Sequence, residues 1–163
     1  MKCIYIGAGE DRYDNCLRLD VRESVKPDIV WDLEKLPLPF KDEEFDLIYA
    51  RDVIEHITWR KTEALLKELY RILKHGGKIY IQVPDLEAIA KKVILDPNFC
   101  YGDLCGWKAI SYWVYGGQDY PENTHKAGFT IPTLKKLLES LGFQVEEIKN
   151  DGGTNIQCLA RKL

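Results

Sequence analysis

Short apolar runs separated by polar turns dominate the first fifty residues of the chain. Lys2 to Ile6 is apolar and β-favouring, and it stops at Gly7-Ala8-Gly9. Cys16 to Val21, Asp28 to Trp31 and Phe45 to Ala50 repeat the pattern, so four strands are expected here. The period then changes. Leu65, Leu66, Leu69, Ile72 and Leu73 recur at helical spacing with Lys and Glu on the other face. This predicts an amphipathic helix capped by Thr58 and stopped by a left-handed turn at Gly76-Gly77. Lys78 to Val83 reads as a strand closed by Pro84, and Asp85 as the cap of a helix through Leu86, Ile89, Ala90 and Val93.

Residues 96–129 are rich in aromatics, Gly and Asn without a clean period, and read as a loop-and-short-helix insertion. A helix starting at Thr130 carries Leu134, Leu137, Leu138 and Leu141 and ends at Gly142. Phe143 to Ile148 and Asn155 to Leu159 are the last strands, joined by an Asp151-Gly152-Gly153 turn. Interleaved strands and helices predict an α/β protein with a Rossmann-like, mainly parallel sheet. Helices are expected on both faces, with an antiparallel C-terminal edge strand. No repeat or linker divides the chain, so residues 1–163 read as one domain.

Composition narrows the functional classes. With 45% hydrophobic and 30% charged residues the chain has an ordinary globular balance. A net charge of −3 argues against nucleic acid or an anionic membrane as the main partner. No apolar run approaches the roughly 20 residues of a membrane span, and the N-terminal apolar stretch is too short for a signal-peptide core. Five cysteines, odd in number and mostly scattered, fit reduced thiols in a cytoplasmic protein. Cys100 and Cys105 have no second pair to complete a zinc site, so no metal is expected.

The candidate chemistry sits at strand ends. Gly7-Ala8-Gly9 directly follows the first strand, where glycines let backbone approach a ligand at the carboxyl edge of an open sheet. The third glycine of a dinucleotide fingerprint is absent, since Asp11-Arg12 follow Gly9-Glu10. Asp20 ends the second run and can accept from both hydroxyls of a ribose; Asp32 ends the third and can reach an adenine amine. Each alone is also a turn or cap residue; in order, Gly, Asp and Asp point to a nucleoside.

Tyr5-Ile6-Gly7-Ala8-Gly9 and Trp31-Asp32-Leu33-Glu34-Lys35-Leu36-Pro37-Leu38-Pro39-Phe40 resemble the class I S-adenosylmethionine-dependent methyltransferases of the UbiE-like, type 11 group. Phe45-Asp46-Leu47-Ile48-Tyr49-Ala50, Val53-Ile54-Glu55-His56-Ile57 and Tyr70-Arg71-Ile72-Leu73-Lys74-His75-Gly76-Gly77 extend the likeness. Tyr115-Gly116-Gly117-Gln118 and His125-Lys126-Ala127-Gly128-Phe129-Thr130 resemble a subgroup of mostly unassigned substrates. The resemblance implies S-adenosylmethionine as cofactor. Gly7 and Gly9 would face its methionine part, Asp20 its ribose, and Asp32 with Leu33 its adenine, while Arg51, Asp52 and His56 would lie at the cofactor and substrate mouth.

Only nine residues separate Ile6 from Cys16, where the family has a full helix. The shortened crossover implies an open cleft, one that a second copy of the chain can complete, so a homodimer is an expectation. For a small-molecule acceptor that must lose a proton, His56 and His125 are the candidate bases. Each also suits a packing or loop-anchoring role, and His75 suits a helix C-terminus. Trp107, Tyr112, Trp113 and Tyr115 suit an acceptor pocket or, more commonly, core. A non-catalytic cofactor-binding or interaction protein on the same fold is the alternative reading. A dinucleotide oxidoreductase is the weakest, because no phosphate-binding helix fits after Gly9.

Overall fold

The computed structural model describes residues 1–13 and 15–163. Its strands are β1 (Cys3–Ile6), β2 (Cys16–Asp20), β3 (Ile29–Val30), β4 (Phe45–Arg51) and β5 (Leu73–Pro84), followed by β6 (Cys100–Tyr101), β7 (Leu104–Cys105), β8 (Phe143–Asn150) and β9 (Asn155–Lys162). The helices are α1 (Trp59–Ile72), α2 (Leu86–Leu95), α3 (Trp107–Tyr115) and α4 (Ile131–Ser140). Seven strands form one sheet in the order β3-β2-β1-β4-β5-β9-β8, and β6 and β7 form a separate hairpin. The first five strands are parallel; β9 alone runs against its neighbours, between β5 and the edge strand β8. This is the Rossmann-like, mainly parallel sheet expected.

The core is the face on which α1 and α4 lie. Leu65, Leu66, Leu69 and Ile72 of α1 and Leu134 and Leu138 of α4 are fully buried with Ile4, Ile48, Ile79 and Ile81 of the sheet. Each such side chain is worth roughly 1.5–3 kcal/mol of burial. The helix ends differ from expectation. Thr58 sits at the N-cap of α1 without a side-chain capping bond; Glu34 Oε1 instead accepts from the Thr58 amide at 3.0 Å. The helix stops at Ile72, before Gly76-Gly77, and the chain passes straight into β5. The glycine pair instead shapes an irregularity in the β4–β5 pairing, where a Cβ on Gly77 would lie 2.9 Å from the Lys74 carbonyl. His75 therefore belongs to a strand, not to a helix terminus. Asp85 does cap α2, accepting from the amides of Glu87 and Ala88.

The short crossover is real, and among its described residues it holds no helix. At about 3.3 Å per residue β1 is short, and nine extended residues reach up to about 30 Å, enough to return for a parallel pairing. Arg18, 4% exposed on β2, anchors this link. Its guanidinium donates to the carbonyls of Asp11 (3.0 Å), Lys26 (2.8 Å), Val25 (3.1 Å) and Gly9. On the same face Tyr13 of the link stacks on Tyr49 at 4.6 Å, beside Tyr5.

The cysteines correct the reading as reduced thiols. Cys3–Cys16 and Cys100–Cys105 are disulfides, each between register partners of adjacent strands. Pairing creates that proximity, and linear spacing does not reveal it. Cysteine usage therefore gives no argument for a reducing compartment. Among the described residues no helix is long and apolar enough to cross a membrane. Residues 96–129 hold β6, β7 and α3; Phe99 and Phe129 are buried, but the aromatics singled out from the sequence are not core. Trp107 is 73% and Tyr115 56% exposed, while Trp113 stacks on Phe99 at 4.5 Å and Tyr112 on Tyr101 at 5.5 Å.

Two measurements check these points. Arg18→Met removes the guanidinium that four part-buried bonds hold to backbone carbonyls and lowers stability by about 3 kcal/mol in urea unfolding. Cys158 is 1% exposed and burial pushes its thiol up to about 12. Mass-detected alkylation without reductant thus labels no thiol in the folded protein and a single one after unfolding.

Candidate functional site

The carboxyl ends of β1 to β4 open onto a cleft of about 290 Å³ lined by Gly7, Asp20, Asp32, Leu33 and Asp52. Its outer wall is Tyr120 to Glu122 of the insertion, with Tyr120 stacked 4.2 Å from the Arg22 guanidinium. Asp20 is 5% exposed, yet its carboxylate is well supplied with donors. One oxygen accepts from the Gly9 amide at 2.8 Å, the other from the Arg22 amide at 2.8 Å and its Nε at 3.4 Å. A carboxylate offers about four lone-pair sites, so Asp20 keeps acceptor capacity toward the cleft. Asp32 folds one oxygen back onto the Glu34 amide at 2.9 Å, and among the described residues its other oxygen has no protein donor.

The glycines act differently from expectation. Gly7 lines the cleft, with φ +61°. A Cβ there would sit 2.1 Å from Val53 Cγ2, so its need for glycine comes from Val53. Gly9 does not line the cleft; its amide orients Asp20. Arg51 is outside as well. Strand alternation turns it, with Tyr5 and Tyr49, to the opposite face, where it donates to the Tyr13 hydroxyl at 2.8 Å.

A second cavity of about 290 Å³ lies beside the first, and Asp52 and His56 line both. The insertion contributes Tyr101, Tyr112, Trp113 and His125 to this second cavity. His56 and His125, the two candidate bases, meet there edge to face with ring centroids 5.0 Å apart. His56 Nδ1 lies 3.2 Å from the Thr124 carbonyl and His125 Nδ1 3.1 Å from the Trp113 carbonyl. Each carbonyl can only accept, so both rings carry their proton on Nδ1 and present Nε2 as a lone pair. Burial, reinforced by the neighbouring ring, pushes His56 down to about 4, and burial also lowers His125.

Two acids here were not singled out from the sequence as reacting groups. Asp52 takes a left-handed backbone, φ +51°, and accepts from Gln82 Nε2 at 2.9 Å; burial raises its carboxyl above the usual range. Glu55 is 2% exposed, and burial holds it well above the ordinary carboxylate value. Its Oε2 has no hydrogen-bond partner among the described residues. Only the pairing of residues 54–56 with the distant return of the insertion reveals these groups.

Residues 9–81 match the protein family described as methyltransferase domain. That stretch resembles a methyltransferase domain. An uncharacterized protein of Methanocaldococcus jannaschii is 39% identical over 61 residues, 37% of this chain and 26% of that protein. The chain spans about a quarter of the length of the first curated relatives it matches. An S-adenosylmethionine-dependent methyltransferase from Mesorhizobium loti superposes with a TM-score of 0.66 at 20% identity, covering 99% of this chain and 90% of the other. The 1,6-didemethyltoxoflavin-N1-methyltransferase of Burkholderia thailandensis, solved with its substrate and S-adenosylhomocysteine, gives 0.63 at 14% identity, covering 98% and 70%. At such identities the likeness establishes the fold of the methyltransferase domain.

The steric basis of the Gly7 turn is testable. Gly7→Ala combines a positive φ with overlap on Val53, and lowers stability by about 3 kcal/mol in thermal or urea unfolding.

Proposed function

We propose that the chain is an S-adenosylmethionine-dependent methyltransferase that holds the cofactor in the first cleft and a small-molecule acceptor in the second. The observation that carries this is the convergence of Gly7, Asp20 and Asp32 on one cleft with space between them. The remaining acceptor capacity of Asp20 suits ribose hydroxyls, the free oxygen of Asp32 suits the adenine amine, and Leu33 gives the base an apolar wall. That open space counts against the non-catalytic reading. The second cavity, of similar size and sharing Asp52 and His56 as a wall, supports a small acceptor beside the cofactor.

Bound S-adenosylmethionine supplies a methyl group already activated on a sulfonium sulfur. The protein's part is alignment across the shared wall and, for a hydroxyl or amine acceptor, removal of a proton. Asp20, Asp32 and Leu33 would hold the cofactor, which would supply its methyl group to an acceptor in the second cavity. For such an acceptor, Nε2 of His125 or His56, which burial keeps neutral at pH 7, is the group that takes the proton.

Calorimetric titration with S-adenosylmethionine and with S-adenosylhomocysteine tests the reading. Asp32→Ala weakens binding by roughly ten- to a hundredfold, the value of a hydrogen bond to a charged group. Asp20→Ala weakens it at least as much, since it also frees Gly9 and Arg22. No heat with either ligand, from protein shown to be folded, would sink the proposal.

A further inference from the structure

We propose that Glu55, His56 and His125 form a binding site for one divalent metal ion of the zinc class at the wall of the second cavity. One ligand atom from each lies within 4.8 Å of the others, and Glu55 Oε1 stands 3.8 Å from His56 Nε2. Donors around a tetrahedral zinc stand about 3.3 Å apart at metal–nitrogen distances near 2.0–2.1 Å, so small side-chain rotations close the set.

Three features of the site favour a cation over a packed polar cluster. The first is the bare Glu55 Oε2, a buried acceptor whose desolvation nothing in the protein offsets. A cation is the partner that such an oxygen lacks. The second is the tautomer. Metal-bound histidines characteristically donate their other ring nitrogen to a carbonyl or carboxylate, and both rings here are already held that way by Thr124 and Trp113. Neither Nε2 has a hydrogen-bond donor among the described residues, although both rings are largely enclosed. The third is the donor set itself. Two imidazoles and one carboxylate suit zinc and its neighbours, whereas magnesium and calcium prefer all-oxygen shells.

Three protein ligands would leave a fourth position open, and Glu55, His56 and His125 all line the second cavity. Open three-ligand sites bind an exchangeable oxygen or nitrogen donor and lower its pKa. In the loaded protein the imidazoles therefore cease to be proton acceptors, and the acceptor's acidity is raised by coordination instead. Asp52, on the same wall and held by Gln82, remains an uncoordinated carboxylate. The site stands on its own geometry and does not require that methyl transfer be the reaction.

The test is titration of the chelator-treated, non-reduced 163-residue chain with zinc ion alone, by calorimetry and by metal analysis after dialysis. One equivalent is expected to bind, and His125→Gln and Glu55→Gln are each expected to weaken binding by about tenfold or more. His125→Gln lies in the half-buried insertion and keeps the assay informative if the buried Glu55 variant does not fold. Cys100→Ser combined with Cys105→Ser should leave zinc binding unchanged. Absence of binding by folded wild-type protein overturns the proposal. So does binding that survives His125→Gln, or that disappears with the cysteine pair. Titration with S-adenosylhomocysteine on the same samples reports the first cleft separately, so failure of one site is distinguishable from failure of the other.

Discussion

The structure depends on the burial of one arginine. A guanidinium removed from water costs several kcal/mol unless its donors are satisfied, and Arg18 has no carboxylate partner among the described residues. It is satisfied by four backbone carbonyls from two separate segments, the link after β1 and the turn before β3. The carbonyls of Gly9 and Asp11 belong to a link that among its described residues forms no helix to satisfy them. Each side therefore solves the other's hydrogen-bonding problem. The fan of donors around one planar group suits arginine; lysine, with a single nitrogen, cannot reach four divergent carbonyls.

This anchoring determines the first cleft. Arg18 fixes Gly9 through its carbonyl, and Gly9 then points its amide at Asp20. Asp20 is thus aimed by a link that Arg18 holds in place, although the two residues face different tasks. A crossover helix would ordinarily supply rigidity at this position. Here a side chain and the Tyr13–Tyr49 stack do so with far fewer residues. The cleft rim also depends on Arg22, whose amide supports Asp20 and whose guanidinium carries Tyr120 of the insertion.

Strand ends were legible in the sequence because apolar runs of period two or full burial stop abruptly at Gly7, Asp20 and Asp32. An open parallel sheet places all such ends at one edge. Arg51 was misplaced by attending to its position at the end of β4 and not to its parity with Tyr49. The alternation that turns it away was itself visible. The disulfides were hidden, because Cys3 and Cys16 become neighbours only once β1 and β2 pair in parallel across an unusually short link. The exposure of Trp107 and Tyr115 was hidden too, since the insertion has no period from which to read an inner face. His56 and His125 were each singled out, but not as a pair, and the burial of Glu55 follows only from the folded turn.

The turn that contains Glu55 links the two cavities. Its carbonyl accepts from the amides of Lys126 (2.7 Å) and Ala127 (3.1 Å), so the same residue that buries a carboxylate also fastens the return of the insertion. His56 next to it borders both cavities, and its Nδ1 is tied to Thr124 on that returning segment. Any displacement of residues 124–127 must therefore be felt at His56, and through it at the wall shared with the first cleft. Insertions usually tune specificity from a loop set apart from the scaffold. Here the loop is bonded into the scaffold at the point where the two cavities meet.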